Sequence, residues 1–362
     1  MADRTDDDFP PHPRRTADLV GHEEAERVLL GAWNSGRLPH AWLIAGPPGI
    51  GKATLAYRFA RFALAGGGEG RLFGAPDTMA LDPAHPVFHR VASGGHADLM
   101  ALERTFTEEE MKKDPEERKR KRDIITVDQV REAGHFLRLT PAEGGWRVII
   151  VDAADELNPQ AANALLKSLE EPSPRSLILL VCHAPGRLLP TIRSRCCRLA
   201  LAPLTESAVA SLLARLMPEM VEADRAALAS LAEGSIGRAL TLAGEGGIEI
   251  GREIDALLAA LPRIDPEKLH RFADSVSRQG ADQAWRTASS LLRWRLSRAI
   301  GEAARGRTTE LSRRLVALAP LDRWIEVWDK VSRLVAQADG LHLDRKQVIL
   351  GAFFAMERAA RA

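Results

Sequence analysis

Short, continuous runs of apolar residues alternate with amphipathic stretches over the first two hundred residues of the chain. Three of the runs are strand-sized, at 41–45, 147–152 and 176–181, and helical spacing begins at Lys52 and again near 160–171. A strand that is buried on both faces needs apolar side chains at successive positions, so such runs separated by helices are typical of a parallel sheet covered by helices. The pattern predicts an α/β nucleotide-binding domain.

The strand pattern stops after Pro203, and helical periodicity continues to the end of the chain. Two helices, at 206–217 and 222–232, are followed by four or five more from about residue 252, which prolines and glycines separate. The predicted division is a flexible tail at 1–16, an α/β domain at 17–203 with a charged insertion at 103–123, a small helical domain at 204–250 and an all-helical domain at 251–362.

Composition excludes several classes of protein. The 362 residues suffice for two or three domains, and 45% hydrophobic with 27% charged residues is typical of a soluble globular chain. The three cysteines, Cys182, Cys196 and Cys197, are odd in number and two are adjacent, which favours the reducing cytoplasm over a secreted disulfide framework. We expect no membrane span and no signal peptide, because no stretch is long and apolar enough.

The charges nearly cancel over the whole chain, with 50 basic and 49 acidic residues. This balance hides a division, because residues 251–362 are net basic and the preceding residues are net acidic. No overall field draws the chain to nucleic acid, so any contact with DNA would be local. The insertion at 103–123 mixes acids and bases; we expect a solvated segment there, with a DNA-contacting patch at 118–122 as the alternative.

A glycine-rich segment directly after the first apolar run is the strongest chemical signal in the sequence. Gly46, Gly49, Gly51 and Lys52 lie in a G-x-x-x-x-G-K motif between a predicted strand and a predicted helix. In this context backbone N–H groups hold phosphates and the lysine reaches the β- and γ-phosphate oxygens. A second apolar run ends in Asp152, where a metal-site carboxylate belongs. The motif predicts a site for ATP; a glycine turn without a ligand is the alternative.

Two positions that ATP hydrolysis requires lack the necessary side chains. Ala53 stands where a P-loop enzyme has the hydroxyl that binds Mg²⁺, and Thr54 is rotated from that position by about 100° around the helix. Ala153 follows Asp152 where a carboxylate would orient the attacking water, and Asp155 is a weak substitute. We therefore predict ATP binding without efficient hydrolysis, with Thr54 and Asp152 as the remaining polar groups of the site.

Four segments in order carry a resemblance to a known family. They are Gly46–Lys52, Val151–Asn158, Ala162–Pro172 and Thr191–Cys196. Together they resemble the AAA+ subunits of the bacterial DNA polymerase III clamp loader. The resemblance implies an AAA+ P-loop sheet domain, a helical lid at 204–250 and a helical collar at 251–362. It also implies a ring-shaped hetero-pentamer in which ATP lies between neighbouring AAA+ domains.

Ser194, Arg195 and Cys196 match the Ser-Arg-Cys motif of that family. The resemblance implies that Arg195 projects into the ATP site of the next subunit as an arginine finger. A guanidinium held there would offset the charge that develops on the γ-phosphate. The alternative is that Arg195 is a solvated arginine like Arg193 and Arg198.

The missing side chains resemble one branch of the family, the delta-prime stator. ATP-hydrolysing motor subunits have other residues at the positions of Ala53 and Ala153, and an arginine in the lid at the position of Gly237. The resemblance implies motor (gamma/tau) and delta subunits as partners, with the sliding clamp and primed DNA reached through the complex. Polymerase activity would belong to the holoenzyme. The alternatives are a motor subunit of the same complex and an AAA+ adaptor of other function.

The chain departs from the family in one respect. Clamp-loader subunits commonly carry a four-cysteine zinc module between the loop and the second strand, and residues 55–147 contain no cysteine. Three histidines, His85, His89 and His96, lie in that interval without the spacing of a zinc site. We predict no metal.

Tryptophans at helical spacing mark the C-terminal region. Trp285 and Trp294 lie in one predicted helix, and Trp324 and Trp328 lie four residues apart in another. We expect them in the core of the collar. A subunit interface is the alternative.

Overall fold

The computed structural model describes residues 11–68, 75–105, 124–143, 145–306, 309–341 and 343–361. Most of the charged insertion predicted at 103–123 lies outside these residues. The chain forms two compact units, Met1–Leu216 with Glu233–Arg238 and Met217–Ala232 with Ala239–Ala362. The segment predicted as a lid contributes to both units, and the division into three domains stays a prediction.

A parallel sheet of five strands forms the centre of the first unit. The strands are β1 (Ala41–Ala45), β2 (Leu99–Glu103), β3 (Arg147–Asp152), β4 (Ser176–Cys182) and β5 (Cys197–Ala200), in the order β2-β3-β4-β1-β5. The three apolar runs are β1, β3 and β4, so the predicted α/β fold is confirmed. The two edge strands are not marked by apolar runs because most of their side chains are partly exposed.

Helices cover both faces of this sheet. They are α1 (Glu23–Asn34), α2 (Lys52–Leu64), α3 (Pro86–Ser93), α4 (Val127–Arg138), α5 (Pro159–Glu170) and α6 (Pro190–Arg193). Alternate residues of β1 enter separate cores, because successive side chains of a strand point to opposite faces. Trp42 and Ile44 pack with α1, α2 and α3, whereas Ala41 and Leu43 pack with α4 and α5. Both faces of β1 are therefore buried.

The described part of the N-terminal segment is held against α2. The guanidinium of the buried Arg61 donates to the carbonyls of Arg14 at 3.0 Å and Thr16 at 2.7 Å. A buried guanidinium needs acceptors, and this segment supplies them. Residues 14–16 are therefore held on α2, and the flexible tail at 1–16 stays a prediction.

The remaining helices follow β5. They are α7 (Glu206–Leu216), α8 (Glu222–Leu231), α9 (Ile236–Gly244), α10 (Gly247–Ala259), α11 (Pro266–Ser277), α12 (Asp282–Ala304), α13 (Glu310–Leu318), α14 (Leu321–Leu341) and α15 (Arg345–Arg361). The described residues from Gly247 onward thus form six helices, where the sequence predicts four or five. The additional helix arises because the chain breaks near Gly306, between α12 and α13, a position that is not among the predicted breaks. None of the described helices has the length and apolar character needed to cross a membrane.

Most of the C-terminal tryptophans are buried in the second unit. Trp285, Trp294 and Trp324 belong to its core, and the indole N–H of Trp324 donates to the carbonyl of Leu315 at 2.8 Å. Trp328 is 36% exposed. The core interpretation is confirmed for the first three and wrong for Trp328, which lies one turn from Trp324 at the margin of the buried stripe of α14.

The segment 233–238 packs directly on the loop between β1 and α2. The hydroxyl of Ser235 donates to the carbonyl of Pro48, and the N–H of Gly237 donates to the carbonyl of Gly49, both at 2.9 Å. The two backbones approach so closely that a Cβ added to Gly237 would lie 2.9 Å from the Cα of Gly49. A Cβ at Gly49, whose φ is +72°, would overlap the Ser235 hydroxyl. Both positions require glycine.

A methyl group at position 237 should separate this contact. We expect Gly237→Ala to lower the free energy of unfolding by about 1–3 kcal/mol, because the opposing atom is backbone and cannot rotate away. Gly244→Ala, on the same helix, is the matched control, since no atom lies within 4 Å of its added Cβ. The control should leave stability unchanged or raise it by up to about 1 kcal/mol. Urea unfolding of the full chain measures both, and equal midpoints would contradict the contact.

Candidate functional site

The glycine-rich loop lies at the carboxyl edge of the sheet, between the end of β1 and the start of α2. Gly46, Gly49 and Gly51 have positive φ, and Gly51 is the residue from which α2 begins. The structure therefore brings together the predicted loop residues and Lys52 in a strand–turn–helix arrangement. Thr54 lies in the first turn of α2.

The backbone carbonyls of residues 46–50 all accept hydrogen bonds from the protein. Lys52 Nζ donates to the carbonyl of Gly46 at 2.7 Å and also to the carbonyl of Pro47. The carbonyls of Pro48 and Gly49 accept from the hydroxyl of Ser235 and the N–H of Gly237, respectively. His22 Nε2 lies 2.6 Å from the last, so this nitrogen carries the proton. With its carbonyls bonded in this way, the loop leaves the N–H groups at the start of α2 for an anion.

Lys52 is buried, with 3% of its surface exposed. Burial disfavours the ammonium form and lowers the pKa of Lys52 to about 8, although the charges of Asp152 and Asp155 oppose the change. The ammonium form still predominates at neutral pH. Its present acceptors are neutral carbonyls, so a phosphate oxygen would be a stronger partner.

Asp152 ends β3 beside this lysine. Burial raises the pKa of Asp152 to about 6; the charge of Glu103 adds to the effect and Lys52 opposes it. Glu103 is the residue that pairs with Asp152 across β2 and β3, and it accepts a hydrogen bond from Tyr57 at 3.3 Å. Ala153, which follows, is buried and has no polar side chain. The site therefore has the carboxylate of Asp152 but no polar side chain at position 153, and ATP hydrolysis uses a polar group at both positions.

Asp155 is occupied elsewhere in the fold. Its two carboxylate oxygens accept the backbone N–H groups of His183 at 2.8 Å and Ala184 at 3.1 Å. Burial alone would raise the pKa of Asp155, but hydrogen bonds from the backbone N–H groups of His183 and of Asp155 itself outweigh it, and the pKa lies below its usual value. Asp155 thus fixes the turn after β4 and does not replace the missing acid.

Arg195 lies at the amino edge of the sheet, opposite the carboxyl edge that carries the glycine-rich loop. It precedes β5, whereas the loop follows β1, and the two strands pair in parallel with Ala45 opposite Ala200. The carboxyl and amino ends of parallel strands lie at opposite edges, so Arg195 is separated from the chain's own loop by the length of β5. Its side chain is 36% exposed and forms an ion pair with Glu170 at 2.7 Å.

No three His, Cys, Asp or Glu side chains among the described residues are grouped so that they could hold a metal ion. His85 caps α3 by accepting the N–H of Val87 at 3.2 Å. His96 is buried, and its Nδ1 accepts the N–H of Asp98 at 3.1 Å. These two histidines thus have structural roles.

Three residues around these sites were not predicted from the sequence. His22 and Ser235 bond to the loop, and Glu170 bonds to Arg195. Each acts on a residue that is distant in the sequence. The available signals are weak: a Gly-Ser pair for Ser235 and the Glu-Glu-Pro ending of α5 for Glu170.

Comparison with known proteins adds the family. A family model described as "DNA polymerase III, delta subunit" matches residues 21–205, slightly more than half of the chain. The delta′ subunit of DNA polymerase III from Pseudomonas aeruginosa is 39% identical over 232 residues, which cover 64% of this chain and 63% of that protein. The delta′ subunit from Escherichia coli is 34% identical over 215 residues, covering 59% of this chain and 57% of that protein.

A related subunit is similar as well. The tau/gamma subunit from Haemophilus influenzae is 29% identical over 234 residues, which cover 64% of this chain and 30% of that protein. The chain thus spans less than two thirds of the length of each of these relatives. The segment that the family model matches contains the loop, Asp152 and Arg195. This chain therefore belongs to the delta-prime family of DNA polymerase III clamp-loader subunits.

Proposed function

We propose that this chain is the stator of a DNA polymerase III clamp loader and that Arg195 completes the ATP site of a neighbouring motor subunit. The position of Arg195 carries the proposal. It is partly exposed and lies at the opposite edge of the sheet from the chain's own loop. An arginine in that position cannot serve its own loop, whereas a neighbour in a ring can reach it.

Arg195 would act there by electrostatics. A guanidinium is always charged and presents a planar set of N–H donors that matches phosphate oxygens. Held at a subunit boundary, it offsets the charge that develops on the γ-phosphate during hydrolysis. Its contribution depends on the neighbour being in place, so hydrolysis in the motor subunit becomes tied to the assembled ring.

The chain's own loop would bind ATP without hydrolysing it efficiently. The hydrogen-bonded loop carbonyls, which leave N–H groups at the start of α2 for an anion, and the ammonium of Lys52 support phosphate binding. Ala53 has no hydroxyl for Mg²⁺, Ala153 has no acid for the attacking water, and Gly237 stands at the position of the lid arginine. The chain would then contribute its arginine to another site and perform no turnover of its own.

The partners in this proposal are the motor (gamma/tau) and delta subunits, and through the complex the sliding clamp and primed DNA. The similarity to proteins named delta′ and tau/gamma supports membership of such a complex. A motor subunit and an AAA+ adaptor are the competing functions. Failure to assemble with motor and delta subunits would favour the adaptor.

Replacing Arg195 tests the proposal in the reconstituted complex. We expect Arg195→Ala to slow hydrolysis at the ATP site that this chain serves by roughly 10³-fold, since an arginine finger contributes about that much. The total rate of DNA-stimulated ATP hydrolysis should fall by the fraction that this site contributes. The rate of clamp loading should fall as well. Arg193→Ala is the matched control, because Arg193 is also exposed and lies two residues away. Unchanged hydrolysis and clamp loading in Arg195→Ala would refute the proposal.

Calorimetry of the isolated chain tests the loop. Lys52 has a pKa of about 8, so at pH 8.5 its side chain is mostly neutral. The negative charge of bound ATP should favour the ammonium form of Lys52. Binding at this pH should therefore take up about 0.7 proton. At pH 7 the uptake should fall to about 0.1 proton, because Lys52 is already charged. Titrations in two buffers of different ionisation enthalpy measure this uptake.

Two variants complete the measurement. Lys52→Met should abolish the uptake and weaken binding, whereas Lys167→Met, at an exposed lysine on α5, should do neither. Binding without proton uptake would show that Lys52 keeps its carbonyl partners. Brisk hydrolysis by the isolated chain that Lys52→Met abolishes would establish a motor subunit instead.

A further inference from the structure

The guanidinium of Arg195 is held by groups of its own chain. Nη2 lies 2.7 Å from Oε1 of Glu170. Nη1 donates to the carbonyl of Thr191 at 3.0 Å and lies 3.5 Å from the hydroxyl of Ser194. Two of these contacts come from the turn that carries Arg195, and the third comes from the end of α5. The arginine therefore has a defined orientation within the isolated chain.

These contacts leave part of the guanidinium available. An arginine has five N–H donors, of which the three contacts use at most three. At least two N–H donors therefore remain, and a phosphoryl oxygen can accept from them. Glu170 and Arg195 are 49% and 36% exposed, so an approaching partner can reach them. The same guanidinium can thus keep Glu170 and bind a phosphate.

The place of Glu170 on its helix has no local explanation. It is the last residue of α5, where the negative end of the helix dipole disfavours a carboxylate and favours a cation. No cation near it on α5 forms an ion pair with it, whereas Arg195 does. An exposed pair of this kind also contributes little to the stability of the fold. The stability of the fold therefore does not explain a carboxylate at the end of α5, whereas a role in orienting Arg195 does.

We propose that Glu170 is a positioning residue that holds the Arg195 guanidinium in the orientation needed by the ATP site of the neighbouring subunit. The proposal rests on the proposed function of Arg195 and adds a second residue to it. An arginine side chain has many rotamers, and an untethered one would occupy the productive orientation for only part of the time. Glu170 and Thr191 together favour one of them.

The test uses the reconstituted complex and the ATP hydrolysis of its motor subunits. Glu170→Ala should lower kcat at the served site by about 3–10-fold and leave the KM for ATP within about twofold, because orientation affects the reacting state more than the bound substrate. Glu170→Gln keeps an oxygen acceptor at the same place and should restore part of the rate. Glu171→Ala, which removes the adjacent exposed carboxylate, should leave the rate unchanged.

A double variant separates positioning from other effects. If Glu170 acts through Arg195, Arg195→Ala with Glu170→Ala should be no slower than Arg195→Ala alone. The proposal is overturned if Glu170→Ala matches the wild type, if Glu171→Ala is equally slow, or if the Glu170 effect persists without Arg195. In each of those cases, slow ATP hydrolysis by the complex with Arg195→Ala would still support the proposed role of Arg195 as an arginine finger. If Arg195→Ala is as fast as the wild type, the proposed function fails and the positioning role fails with it.

Discussion

Hydrogen bonding of the backbone carbonyls of residues 46–50 is the constraint around which the first unit is arranged. Where another part of the chain packs against a backbone carbonyl, it has to supply a donor in place of water. The donors come from three separate parts of the chain: His22 before α1, Lys52 at the start of α2, and Ser235 with Gly237 at the start of α9. Meeting this need brings these parts together and sets the shape of the loop with the protein's own groups.

Parallel strands give the unit two edges with different chemistry. The carboxyl edge carries the loop and Asp152, and the amino edge carries Arg195. Helix α5 runs between them: it begins soon after β3 and ends at Glu170, which contacts Arg195. Its twelve residues span about 18 Å at the usual rise per residue. One rigid element therefore joins the region of the chain's own loop to the arginine that the chain presents outward.

Local pattern explains what the sequence predicts well. The strands β1, β3 and β4 follow from apolar runs, because strands covered on both faces need such residues, and the loop follows from the spacing of its glycines and lysine. Edge strands β2 and β5 lack the run because part of each is open to solvent. The groups that bond the loop cannot be predicted in this way: Ser235 is 187 residues from Pro48 along the chain. Glu170 and Arg195 are likewise joined only by the fold.

The contact between Gly49 and Gly237 has a consequence for how this chain can change. Position 237 is a packing position, since a Cβ there meets the backbone of the loop. An arginine at position 237 would add a side chain where there is no room for its first carbon. To place an arginine there, the start of α9 would have to move away from the loop, which would also break the bonds from Ser235 and Gly237. Close packing thus excludes a larger residue at position 237 unless the loop or the start of α9 moves.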